Sequence, residues 1–153
     1  MSEALIFDAV RTPRGKGKKD GSLHTVKPVD LIVGLMHALE ERNGAAIKHH
    51  VDDVVLGCVT PVGDQGADVA KTAALAAHWP HETAGVQLNR FCASGISAVA
   101  MAADRIRVGE ADVMIAAGAE SMSMVPMMGH HPSMNMGIFK DENIGMAYGM
   151  GLT

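Results

Sequence analysis

Apolar and polar positions fall in blocks along this chain rather than in a uniform rhythm. Residues 5–10 (LIFDAV) form a short apolar run that predicts a first strand. Pro28 and Asp30 open a segment in which Leu31, Leu35, Met36 and Leu39 recur at helical spacing, and Asn43-Gly44 stops it. Residues 53–59 (DVVLGCV) are nearly continuous in apolar side chains and predict a second strand. A loop over residues 61–66 leads to an alanine-rich helix over residues 68–78, closed by Trp79-Pro80. Val86-Gln87-Leu88 predicts a third strand, which runs directly into Asn89-Arg90-Phe91-Cys92.

Residues 94–108 predict a third helix, closed by Gly109. Ile96, Ala98, Val99, Ala100, Met101, Ala102, Ala103 and Ile106 leave it little polar face, so the pattern predicts burial all round. Residues 112–119 (DVMIAAGA) are apolar without alternation, the mark of a parallel strand covered on both faces. Strands and helices in strict alternation predict a layered α/β fold. After Glu120 the periodicity is lost. Residues 121–151 hold most of the twelve methionines, with several glycines and two prolines, and predict an irregular excursion from the core. The chain stops at Thr153 with no element to finish the segment, which leads to the expectation of a chain cut in mid-domain.

Composition narrows the function classes. Hydrophobic residues make up 48% of the 153 positions but aromatic residues only 3%, so the predicted core packs aliphatic side chains and flexible thioethers. The net charge of −4 and the absence of a basic patch with interleaved aromatics argue against nucleic acid as a partner. No apolar run reaches membrane-spanning length, and the opening MSEALIFDAV has an acidic Glu3 in place of a basic leader, so neither a membrane nor a signal peptide is expected. Two cysteines do not make a disulfide framework; both are expected as free thiols in a reducing cytoplasm. The basic, glycine-rich run over residues 11–21 reads as a solvated loop, with an anion contact as the minor alternative.

The candidate chemistry centres on Cys92. It sits between a strand and a helix start, where backbone N–H groups from Ala93 onward favour a thiolate and a developing oxyanion. Ala93, Ser94 and Gly95 are small enough to admit a substrate carbonyl. Cys58, inside an apolar strand, reads as a buried structural thiol. A base must take the thiol proton. The histidines available are His24, His37, His49, His50, His78, His81, His130 and His131; most read as solvated side chains, and the His130-His131 pair stands out from them, though nothing local orients either ring. No cysteine–histidine spacing predicts zinc.

Asn89-Arg90-Phe91-Cys92-Ala93-Ser94-Gly95 resembles the acyl-enzyme cysteine motif of the thiolases. Asp8-Ala9-Val10-Arg11-Thr12-Pro13 is similar to their first strand and its exit. Gly118-Ala119-Glu120-Ser121-Met122-Ser123 is similar to the end of the strand after the nucleophile helix, and Met150-Gly151-Leu152-Thr153 to the start of a loop-domain motif. The resemblance implies a thiolase-like α/β fold of which this chain is an incomplete N-terminal half. Residues 1–120 would be the first part of the N-terminal domain and residues 121–153 the start of a loop domain, truncated at its C-terminus.

It also implies an acyltransferase of fatty acid metabolism that moves acyl groups between Cys92, as a thioester, and coenzyme A. Met150 would lie near the acyl pocket. Acyl-CoA and CoA would be substrates, no cofactor would be permanently bound, and the full-length protein would be a homodimer or homotetramer. The family's Gly-His-Pro, Asn-Glu-Ala and Cys-x-Gly motifs do not occur in matching positions. Gly129-His130-His131-Pro132 matches the histidine motif by letters but comes far too early. The isolated chain is therefore expected to lack its base and its second cysteine. Two other readings are a short chain that binds CoA or a partner without catalysis, and a related condensing enzyme such as a ketoacyl synthase.

Overall fold

The computed structural model describes residues 3–127 and residue 129. Three parallel strands form its centre: β1 (Asp53–Gly57), β2 (Ala84–Leu88) and β3 (Met114–Gly118), in the order β2-β1-β3. The register aligns Gly57 with both Leu88 and Gly118, so the three strands end level. Helices α1 (Pro28–Asn43), α2 (Val69–Ala76) and α3 (Ser94–Arg107) connect and cover them. From β1 the chain crosses through α2 to one edge, and from β2 through α3 back to the other edge. Right-handed crossovers in opposite directions place α2 and α3 on opposite faces of the sheet.

Side-chain alternation along β1 agrees with that layering. Val54, Leu56 and Cys58 join Ile32 and Met36 of α1, Val69, Ala70, Ala73 and Ala74 of α2, and Trp79 in the main buried cluster. Asp53, Val55 and Gly57 face the other way, toward α3. A Cβ on Gly57 would come within 2.7 Å of the Ser94 carbonyl carbon, so the missing side chain is what lets α3 start against β1. Gly85 does the same for α2, where a Cβ would lie 2.4 Å from the Lys71 nitrogen.

Helix α1 begins with Pro28, carries Asp30 in its first turn and Arg42 in its last, and ends at Gly44 with φ of 88°. It buries Pro28, Ile32 and Met36, a stripe rotated from the expected one. Leu31 and Leu35 instead line a cleft beside the sheet. The helix-closing role read into Trp79 holds in part: the indole is buried and donates to Glu40 of α1, tying the end of α2 to α1.

Two expectations are corrected. Residues 5–10 form no strand, and Leu5, Ile6 and Phe7 are 76%, 85% and 84% exposed. An apolar run becomes a strand only when a neighbour takes its backbone groups; among the described residues nothing pairs with it. The segment is anchored instead through Asp8, whose carboxylate accepts from Arg42 at 2.9 and 2.7 Å and from Asn43 at 2.8 Å. The Arg42 hydrogen bond, helped by Asn43, holds the Asp8 carboxyl below its ordinary range. Helix α3 is likewise not buried all round. It buries Ser94, Ser97, Ala98 and Ala102, while Ile96 is 77% and Val99 50% exposed. One helix on one face of a three-stranded sheet has nothing beyond it among the described residues. For the same reason β1 is fully buried, as expected, but β3 is only half-covered.

On the α3 side Asp53, 6% exposed, is paired with Arg105 and also accepts from the Val54 N–H at 2.7 Å. Arg105 reaches Glu110 at 3.0 Å as well, and Asp53 above all raises its affinity for its proton. Removing the guanidinium strands a buried carboxylate. Full burial of such a charge would cost 3–5 kcal/mol, and partial exposure of Arg105 reduces that to about 2 kcal/mol. Arg105→Met is expected to lower the urea midpoint accordingly, with unfolding followed by circular dichroism; an unchanged midpoint would show that water already solvates Asp53.

Candidate active site

Because the strands are parallel and end level, three loops emerge together at their C-terminal edge, the usual position for a ligand site in an open α/β sheet. Val59 and Thr60 follow β1, Asn89 to Ala93 follow β2, and Glu120 and Ser121 follow β3. Cys92 lies in the middle one and is exposed. Phe91, directly before it, has φ of 48°, a left-handed conformation uncommon for a non-glycine residue. The chain is thus turned sharply out of β2, crosses Cys92 and enters α3 at Ser94.

That turn is held from both sides. Asn89 Oδ1 accepts the Phe91 N–H at 2.8 Å. Ser94 Oγ donates to the Phe91 carbonyl oxygen at 2.6 Å and accepts from the Arg90 N–H at 2.8 Å. Both peptide groups of the strained residue are therefore fixed by side chains. Ser94 is buried, which places the serine of Cys-Ala-Ser-Gly in the frame of the turn rather than in open space. The amides following Cys92 are partly committed as well. Ala93 N–H donates to the Arg90 oxygen at 3.1 Å and Ser94 N–H to the Phe91 oxygen at 3.0 Å. Of the N–H groups from Ala93 onward that were expected to favour a thiolate, these two are engaged by backbone oxygens.

Side chains to which the sequence assigned no role of their own, two of them (Asn89 and Glu120) inside the quoted motifs, bind the three loops together. Glu120 Oε2 accepts the Val59 N–H at 2.6 Å, and Glu120 Oε1 accepts from Gln65 Nε2 at 2.9 Å. Gln65 is fully buried; its Nε2 also donates to the Thr60 oxygen at 3.0 Å, and its Oε1 accepts the Ser121 N–H. Gln87 Nε2 donates to the Gln65 oxygen at 2.7 Å, and Gln87 Oε1 accepts the Val69 N–H at 2.7 Å. Asn89 Nδ2 donates to the Val59 oxygen at 3.0 Å. The available signal was positional: Asn89 and Glu120 are polar residues within two places of the end of an apolar strand.

The other cysteine behaves differently. Cys58 is buried, as expected, and burial, reinforced by the negative charge of Glu120, pushes its thiol up to about 11 from 9.0. The folded state thus holds that proton more tightly than the unfolded chain. The associated stability is present below pH 9 and is lost as pH rises toward about 11. A urea midpoint that falls across this window in the wild type, and less in Cys58→Ala, is expected. At pH 8 iodoacetamide is expected to label Cys92 well before Cys58, as read by peptide mass mapping; equal labelling would contradict the burial of Cys58.

Of the histidines, His37, His49, His50, His78 and His81 are exposed and His24 is half-buried. His49 and His50 precede β1, and His78 and His81 precede β2. These four lie at the N-terminal end of the sheet, a strand length of roughly 17 Å from the edge that carries Cys92. The sequence treated them alike; the topology separates them from the cysteine. His130, His131 and Met150 lie outside the described residues. A cleft of about 750 Å³, lined by Arg11, Arg14, Leu31, Leu35, Glu120 and Ser121 among others, opens beside β3, and Cys92 is not part of its wall. Among the described residues no cluster of histidine, cysteine and carboxylate side chains could hold a metal, and no helix is long and apolar enough to cross a membrane.

Comparison with known proteins agrees with this layout. The family model described as the N-terminal domain of thiolase matches residues 4–153. A 3-ketoacyl-CoA thiolase of Bacillus subtilis is 42% identical over 138 residues, which cover 90% of this chain and 35% of that protein. A 3-ketoacyl-CoA thiolase of Photorhabdus laumondii is 38% identical across the whole chain and 39% of its own length. The crystal structure of the Bacillus anthracis acetyl-CoA acetyltransferase superposes with a TM-score of 0.58 at 39% identity, covering 64% of this chain and 24% of that one. The chain thus spans under two fifths of the length of these curated relatives. With the parallel sheet, the α3 entry and the match over residues 4–153 in agreement, this chain belongs to the thiolase family, through that family's N-terminal domain.

Proposed function

We propose that the protein is a thiolase-type acyltransferase in which Cys92 carries the acyl group. The observation that supports this most directly is the position of Cys92: an exposed thiol on a sharply turned, doubly hydrogen-bonded loop at the C-terminal edge of a parallel sheet. In the degradative direction the Cys92 thiolate attacks the 3-keto carbon of a 3-ketoacyl-CoA. The bond between carbons 2 and 3 breaks, the electron pair passes to carbon 2, and a proton added there gives acetyl-CoA. The acyl group is left as a thioester on Cys92. The thiol of a second CoA then attacks that thioester and releases the shortened acyl-CoA, returning the electron pair to Cys92. The reverse sequence condenses two acyl-CoA molecules.

This chain contributes the nucleophile and the frame around it. The proton transfers at the thiol and at carbon 2 fall to groups outside the motifs present in these 153 residues. General acid–base assistance is worth about 10²–10⁴-fold, so the 153-residue polypeptide alone is expected to show thiolysis at least that far below a complete relative. The test is direct trapping. Incubation of the protein, as its source cell makes it, with an acyl-CoA should add one acyl group to the peptide containing Cys92, removable by CoA or hydroxylamine. An acyl group found on another residue, or none under turnover, would overturn the assignment.

A further inference from the structure

We propose that Glu120 is a positioning residue for Cys92, acting across all three strand ends through the Val59 peptide and Asn89. The inference rests on Cys92 being the acyl carrier, and extends it to a residue far away in sequence. The connection is continuous. Glu120, after β3, takes the Val59 N–H at 2.6 Å. The carbonyl of that same residue, after β1, takes Asn89 Nδ2 at 3.0 Å. Asn89, after β2, uses its other amide atom to take the Phe91 N–H at 2.8 Å, one residue before Cys92. Val59 is thus gripped at both its N–H and its C=O, and Asn89 is oriented with its oxygen toward the turn because its nitrogen is committed to Val59.

The hydrogen-bonding pattern requires a carboxylate at position 120. Its two oxygens receive two donors, the Val59 N–H and Gln65 Nε2. An amide offers one acceptor and one donor group, so Glu120→Gln sets a donor against one of them. Gln65 cannot rotate to compensate. Its own nitrogen also serves the Thr60 oxygen, and its own oxygen holds the Ser121 N–H, in a fully buried position. An isosteric replacement that removes no packing therefore cannot serve both partners, and the grip on Val59 is loosened either directly or through the Gln65 amide that shares the carboxylate and holds the neighbouring Thr60 oxygen. Released from Val59, Asn89 loses the constraint that aims its oxygen at Phe91. That residue's left-handed φ of 48° then has less to hold it.

The experiment compares wild type, Glu120→Gln, Asn89→Asp and the double variant. Aspartate at 89 can still accept from Phe91 but cannot donate to Val59, so it cuts the same link from the other side. Hydrogen exchange at the Phe91 amide is expected to quicken about tenfold in both single variants, with the amides in the middle of α3 unchanged. Single-turnover acylation of Cys92 is expected to slow by about tenfold or more in each, with KM within twofold, since small misplacements of a reacting group carry such penalties. The double variant is expected to be little slower than either single one, because both act through one peptide.

Unchanged exchange at Phe91 in Glu120→Gln would overturn the inference. So would multiplicative kinetic effects, or a loss of thermal stability with an undiminished acylation rate, the pattern of a purely structural contact. If wild type forms no thioester on Cys92, the failure belongs to the acyl-carrier reading; the exchange data alone then decide whether Glu120 sets the geometry of the turn.

Discussion

Replacing Cys92 by alanine is expected to lower acyl transfer by about 10⁴-fold or more and to eliminate the covalent acyl-enzyme altogether. A nucleophile works as a unit with its base and its oxyanion donors, and removing it forfeits the covalent route rather than a fraction of it. Cys92→Ser is expected to be nearly as inactive. Its hydroxyl has a far higher pKa than a thiol, and the two polar side chains that frame the turn are committed elsewhere: Asn89 is engaged with Val59 and Phe91, and Ser94 with Phe91 and Arg90. Both variants should fold normally, because Cys92 is exposed and its turn is held by the Asn89 and Ser94 side chains. The measurement is steady-state thiolysis of a 3-ketoacyl-CoA together with intact mass after exposure to acyl-CoA. Turnover by Cys92→Ala within tenfold of wild type would move the acyl group to another residue and with it the whole reading of the β2–α3 turn.

How much of this was legible beforehand depends on the range over which each feature is decided. The three helices and three of the four expected strands were visible because each is fixed locally, by Pro28, Gly44, Trp79 and Gly109 at the ends and by unbroken apolar runs between. The parallel sheet followed from alternation. What failed were statements about neighbours. Residues 5–10 have the composition of a strand, but pairing is a property of two segments, and none of the described residues pairs with them. The α3 pattern, apolar nearly all round, signals what the helix would tolerate, not what covers it; Ile96 and Val99 face outward. At the candidate site, the position of Cys92 between β2 and the start of α3 was readable from the small residues that follow it. The polar frame was not. Gln65 sits in a turn whose letters read as ordinary loop, and Glu120 becomes a partner of Val59 only once β1 and β3 lie side by side.

Gly57→Ala carries the fold's most direct consequence for the site. A methyl group there would sit 2.7 Å from the Ser94 carbonyl carbon, 2.8 Å from its Cβ and 2.9 Å from the Gly95 nitrogen. Two of these three atoms are backbone at the start of α3, so no side chain can swing aside, and the helix itself must lift from β1. Overpacking of this kind costs about 1–3 kcal/mol, or a melting temperature lower by roughly 6–12 °C at the upper end for a chain of this size. The shift would not stay local. Ser94 Oγ is bonded to the Phe91 oxygen and the Arg90 N–H, so a displaced helix start pulls on both sides of Cys92. A displacement near 1 Å at a reacting atom lowers rates by about 10²-fold. Gly57→Ala is therefore expected to lose activity well beyond its loss of folded protein. Gly34→Ala supplies the contrast: it lies inside α1 with nothing within 4 Å of the added methyl, and should gain about 0.5–1 kcal/mol with acylation unchanged. If Gly57→Ala were destabilised yet acylated Cys92 at the wild-type rate, the start of α3 and the Cys92 turn would be mechanically independent, and the close approach at Gly57 would serve packing alone.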